Sequence, residues 1–170
     1  MTTRSSRPTR GMLLLLLPLA LVVACGDEEE EGLYTRAQAE QTARAFVEAC
    51  GRGEASTALR SCALPFRFGT RLWTEQKQLE ENLAFQVARL RTEAARFDRF
   101  EVFSWRDLMN GRWPRGRTVP EEGRENAIRK LGVGRDGFVV RAFRENVRGW
   151  RIVINPDVAT DALKVTALIP

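Results

Sequence analysis

The chain has three cysteines and no histidine, and that pair of facts bounds the chemistry available to it. Without histidine there is no side chain that titrates near neutrality unperturbed, and no imidazole ligand for a metal. Ser-His-Asp and Cys-His catalysis and histidine-based zinc sites are therefore excluded, and no cofactor or metal is implied. An acid-base enzyme of the isomerase kind would need a carboxylate and an oxyanion donor together in an apolar pocket. The carboxylates nearest to strand-like sequence are Asp98, Glu101 and Asp107, and the single tyrosine, Tyr34, lies beside an acidic run where a surface anchoring role suits it better. Alternation sends Glu101 to the same strand face as Phe103 and Trp105, either as a buried acid or, more commonly, as the partner of an arginine. The remaining chemistry-bearing cluster is Gly111 to Arg117, with Arg112, Trp113, Arg115 and Arg117 in a loop that has no apolar period to bury the ring. Tryptophan and arginine dominate binding hot spots, so these four residues are the expected partner contact. Attachment to anionic headgroups and a ring folded back as a plug are the alternatives.

The first cysteine has a different setting. Arg4, Arg7 and Arg10 precede the apolar run GMLLLLLPLALVVA, and small residues lead into Cys25. This is the three-part layout of an export signal over residues 1–24, too short for a membrane span and interrupted by Pro18. Leu21-Val22-Val23-Ala24-Cys25 resembles the lipobox of bacterial lipoproteins, which implies that Cys25 receives diacylglycerol and that the mature chain is held to a membrane by its acyl chains. An ordinary signal cut after Ala24 and an uncut anchor are the rival readings. Residues 26–32, GDEEEEG, then form an acidic tether between anchor and domain. Gly26 directly after the cysteine implies, by the same resemblance, delivery to the outer membrane facing the periplasm, with surface exposure as an alternative.

Removing the signal changes the charge. The chain has 27 basic and 22 acidic residues; taking away the three signal arginines leaves 24 against 22, close to balance. That argues against nucleic acid as a partner. Assigning Cys25 to lipid leaves Cys50 and Cys62 as a pair in an oxidising compartment, and a disulfide between them is expected, two buried thiols being the alternative.

Residues 33–170 suffice for one domain. Thr35-x-x-Gln38 has capping-box spacing, and Ala39, Ala43, Phe46, Val47 and Cys50 recur on one helical face until Gly51 and Gly53. A short helix from Glu54 through Cys62 is expected to end before Pro65, placing the two cysteines near the ends of a helical hairpin. PFRFGTRLW, residues 65–73, reads as a hairpin, and Thr74-Glu75 opens a helix with the stripe Leu79, Leu83, Val87 and Leu90. FEVFSW (100–105), GFVVRAFR (137–144), WRIVI (150–154) and LKVTALI (163–169) read as strands, with a turn at Asn146 to Gly149. The stretch 106–135 interrupts them with a loop and a short helix between Pro120 and Gly132.

This order predicts an α+β domain with N-terminal helices packed on one face of a curved, mainly antiparallel, cone-like sheet. Ala39 to Trp73, with LRSCALPFRF at 59–68 and WRIVI as a late strand, resembles the nuclear-transport-factor-2-like superfamily of ketosteroid isomerase and polyketide cyclases. The resemblance implies a ligand or partner in the open end of the cone, lined by the first helix and the concave sheet. Residues 106–135 and the tail after Pro156 depart from it. The expectation is a non-catalytic envelope lipoprotein that docks a protein, peptide or glycan partner; a cone-shaped enzyme or carrier for a hydrophobic small molecule is the alternative.

Overall fold

The computed structural model describes residues 33–114, 118–145 and 147–170. Helix α1 (Arg36–Arg52) begins with the expected capping box: the Thr35 side chain accepts the Gln38 amide at 3.2 Å, and the Gln38 side chain accepts the Thr35 amide at 2.8 Å. Both orphan donors are thereby satisfied at the end where the chain enters the domain. The helix buries Ala39, Ala43, Phe46, Val47, Ala49 and Cys50 and stops at Gly53, whose φ of 77° is the left-handed conformation that favours glycine. It continues through Gly51, where a Cβ would sit 3.2 Å from the backbone of Ala95, so α1 lies close against the end of the third helix.

Helix α2 (Ala55–Arg60) is shorter than the sequence suggests, and Cys62 is not its last turn but the first residue of strand β1 (Cys62–Phe68). The reason is non-local. Val165 donates to the Ser61 carbonyl at 2.7 Å and Cys62 pairs with Val165, so a distant strand draws this segment into the sheet. Pro65, read as a helix stop, lies within β1, where it has no N–H to give, and the ladder shifts register between Cys62 and Arg67. Strand β2 (Arg71–Trp73) closes the hairpin, with Trp73 stacked between Phe66 and Phe68 at centroid distances of 5.6 and 5.9 Å. Helix α3 (Gln76–Ala94) follows, with Leu79, Leu83 and Val87 buried as its stripe requires.

The remaining strands are β3 (Arg99–Ser104), β4 (Phe138–Arg144), β5 (Val147–Asp157) and β6 (Ala162–Ile169). They complete an open six-stranded sheet of order β2-β1-β6-β5-β4-β3, in which only the β1–β6 pair is parallel. The fold is α+β. Because β5 already begins at Val147, Gly149 belongs to the strand and not to the turn expected at Asn146 to Gly149; a Cβ there would meet the Ala142 carbonyl at 2.5 Å. The inner face carries Phe138, Val140, Ala142, Trp150, Ile152, Ile154 and Val165 into one core with α1, α2 and α3.

The residues between them point the other way. Val139 and Val153 alternate with inner-face positions and, with Ala167, enter a separate cluster with Leu108, Trp113, Val119, Ile128 and Val133. Helices α4 (Trp105–Met109) and α5 (Glu121–Leu131) thus lie on the outer face, so helices occupy both sides of the sheet and not one. The segment read as a loop and a short helix is a second layer: the helix expected between Pro120 and Gly132 is α5, and α4 takes up part of the expected loop. Trp105, expected to end a strand, opens α4, because Ser104 caps it through a second capping box with Asp107.

Candidate functional site

The outer layer is held to the sheet by polar side chains that seek backbone groups. Arg67 on β1 donates both terminal nitrogens to the Lys130 and Leu131 carbonyls, the orphan acceptors at the end of α5. Asn155 on β5 accepts the Gly134 amide at 2.8 Å and donates to the Gly132 carbonyl at 2.9 Å, fixing the connection into β4. Arg124 on α5 donates to the Met109 and Val119 carbonyls at 2.9 and 3.2 Å, closing the two ends of the loop that contains Trp113.

Trp113 itself is 5% exposed, inside the outer cluster. The expectation of an exposed ring is corrected: Arg124 holds both ends of its loop, which lets an isolated aromatic without periodic neighbours enter the core. Its indole nitrogen is buried without a partner, as is that of Trp150 in the inner core. Arg112, by contrast, is exposed. Arg115 and Arg117, with which the sequence groups it, lie outside the described residues, as does Cys25.

Around Arg112 the structure assembles a feature that the sequence reading did not. Asp107 is nearly buried, 5% exposed, at the N-terminus of α4. Its carboxylate accepts the Ser104 amide at 2.8 Å, and it pairs with Arg36 at 2.9 Å and Arg112 at 3.0 Å. Burial pushes its carboxyl upward, but the Ser104 amide and the Arg36 guanidinium outweigh that and hold it below the usual aspartate range. Arg36 also reaches the Val102 carbonyl at 3.4 Å, so one ionic centre ties the first residue of α1 to edge strand β3 and to α4. Arg106, the neighbour of Asp107 in sequence, lies exposed on α4. The Ser104-x-x-Asp107 spacing, a capping-box signal, was the clue available in the sequence.

The other sequence candidates separate. Glu101 faces Arg141 across β3 and β4 and pairs with it at 3.2 Å. Tyr34 donates to Asp161 at 3.0 Å, on the β5–β6 turn, and that hydrogen bond raises its pKa; the hydroxyl faces a carboxylate, not a pocket. Cys50 is buried on α1 and Cys62 is half-buried on β1, its thiol donating to the Ala58 carbonyl at 3.3 Å. Both are free thiols within electrostatic reach of one another. Burial pushes Cys50 up to about 12 and Cys62 upward as well.

A groove of about 250 Å³ runs between α1, the end of α3 and β3. Val47, Ala94, Phe97 and Phe100 line it, with Arg44 stacked 4.3 Å over the Phe100 ring. Its one carboxylate, Glu48, is half-exposed and pairs with Arg52. Among the described residues no group of three or more cysteine, aspartate or glutamate side chains is placed to hold a metal, and no helix is long and apolar enough to cross a membrane. No family model and no curated protein matches the chain.

Proposed function

We propose that this chain is an envelope lipoprotein, anchored through Cys25, whose domain is a non-catalytic binding module for a protein, peptide or glycan partner bearing negative charge. The observation that carries this reading is the guanidinium corner of Arg36 and Arg112, which share the buried carboxylate of Asp107. With Trp113 buried, Arg112 is the exposed residue among the described part of the Arg112–Arg117 loop. Further support comes from the space between helices and sheet, where Phe46, Phe66 and Trp150 are each 0% exposed and pack together where a cone-fold enzyme would hold its substrate. The helix-on-sheet arrangement also agrees with what the superfamily resemblance implies, while the outer layer of α4 and α5 departs from it.

The binding reading is tested by retention of the purified domain on immobilised poly-glutamate. Arg112→Gln should reduce retention several-fold with the fold kept, as circular dichroism checks, and equal retention would sink it. Anchoring is tested by mass: Cys25→Ser should abolish the acyl mass and membrane association of the exported protein. In an oxidising envelope Cys50 and Cys62 are then the available pair, and intact mass with and without reductant should differ by two hydrogens if they bridge. The 250 Å³ groove favours a second reading, a carrier for a small apolar molecule. Displacement of a hydrophobic dye by Phe100→Trp would support it.

A further inference from the structure

The groove between α1, the end of α3 and β3 has an apolar body and unequal ends. Val47, Ala94, Phe97 and Phe100 supply the body. Phe97 is braced from behind, because its ring meets the fully buried Trp150 edge-on at 4.9 Å and 81°. Arg44 lies over the Phe100 ring at 4.3 Å. A guanidinium laid flat on an aromatic face keeps its N–H donors in its own plane, where they can meet a carboxylate sideways. Glu40 takes Nη2 at 2.8 Å through a half-exposed pair one turn away, the kind that water and salt weaken. Nη1 and Nε remain to serve a ligand.

Gly51 and Arg52 line the groove about two turns further along α1, roughly 10 Å along its axis. Arg52 is already held by both oxygens of Glu54 at 2.8 and 3.2 Å, with Glu48 at 3.8 Å. Two carboxylates thus face one cation there, while at the Arg44 end one carboxylate faces one cation from outside the lining. The groove is therefore polarised along its length, with its available cationic donors beside Phe100.

We infer that this groove binds a small amphipathic carboxylate, its apolar body along Ala94, Phe97 and Phe100 and its head accepting from the Arg44 guanidinium. The inference rests on the carrier reading of the groove given above and names its ligand. At about 250 Å³ the space is smaller than the roughly 300–1,000 Å³ of drug-sized sites, so the occupant is a short chain or a single ring. A cationic head would face Arg44 with no unpaired carboxylate among the lining residues, since Glu48 is turned to Arg52. A carboxylate forms charge-assisted hydrogen bonds with the guanidinium fork, which a neutral head cannot match.

The test uses the mature chain, residues 25–170, with Cys25→Ser, so that no attached acyl chain and no detergent competes for the groove. Octanoate and 1-octanol, which share an apolar chain and differ in the head, are titrated by calorimetry at neutral pH. Octanoate should bind roughly tenfold more tightly, the difference that one charge-assisted contact at a half-exposed arginine makes. Its amide shifts should be confined to residues 44–52 and 94–100. Arg44→Gln should lower octanoate affinity about tenfold and leave octanol unchanged, with circular dichroism checking that the fold is kept. Equal affinity of wild type for the two probes, or an octanoate preference that survives Arg44→Gln, would overturn the carboxylate assignment and leave the apolar groove standing. Binding of neither probe at millimolar concentration, or shifts elsewhere on the domain, would overturn the inference together with the carrier reading.

Discussion

The two faces of the sheet are packed by different means. On the inner face, α1, α2 and α3 bring continuous apolar stripes against Phe138, Val140, Trp150 and Ile152, and few polar side chains are involved. On the outer face a small cluster around Leu108, Trp113 and Ile128 is supplemented by side chains that grip backbone groups: Arg67 on the end of α5, Asn155 on Gly132 and Gly134, Arg124 on Met109 and Val119. One layer is specified by periodicity. The other is specified by a few long-range polar contacts, each of which forms only when the chain has already turned back on the sheet.

The comparison breaks most severely at Trp113. If the outer cluster is a true core, Trp113→Ala should destabilise the protein by about 3–5 kcal/mol in denaturant unfolding; a change near zero would return the ring to the surface. Asp107→Asn should cost about 2 kcal/mol, because the hydrogen bonds and ion pairs lost are to a charged acceptor. The pH dependence has a defined sign. A carboxyl held below its unfolded value contributes fully above the ordinary aspartate pKa of about 3.9 and loses that contribution as pH falls through the folded value. The gap between wild type and Asp107→Asn should therefore narrow below about pH 4 in thermal melts, and a constant gap would deny the ionic role. Arg67→Met should cost about 1 kcal/mol, with faster amide exchange confined to the end of α5. Glu101→Gln, at a half-exposed pair on the same sheet, should change stability by less than about 1 kcal/mol. If Glu101→Gln costs as much as Asp107→Asn, the distinction between a buried ionic centre and a rim pair fails.

The same contrast explains which features could be read in advance. Helix α1 was legible because Thr35, Gln38 and the stripe from Ala39 to Cys50 act over one or two turns. The strands β3 to β6 were legible because alternation is local. Cys62 was misplaced because its periodicity and the following Pro65 both suit a helix end, while the strand that claims it, β6, is remote in sequence. Trp113 was misplaced for a related reason: nothing near it in sequence is apolar at helical or strand spacing, and the residues that enclose it come from α4, α5, β4 and β5. Arg112 was placed correctly at the surface. Its partner Asp107 passed for one carboxylate among several, although its spacing from Ser104 already marked a helix start.

The parallel pairing of β1 with β6 also sets an order of events in time. Lys164 meets the Arg60 carbonyl across 104 positions of sequence, and β1 otherwise holds only the three-residue β2 as a strand partner. With only its first half present the chain can form α1 and the hairpin, but it cannot complete the sheet before β6 arrives. Closure of such distant contacts is the slow part of folding. The topology therefore leaves β1 without its long strand partner until the last residues of the chain are present, and only then lets the sheet be completed.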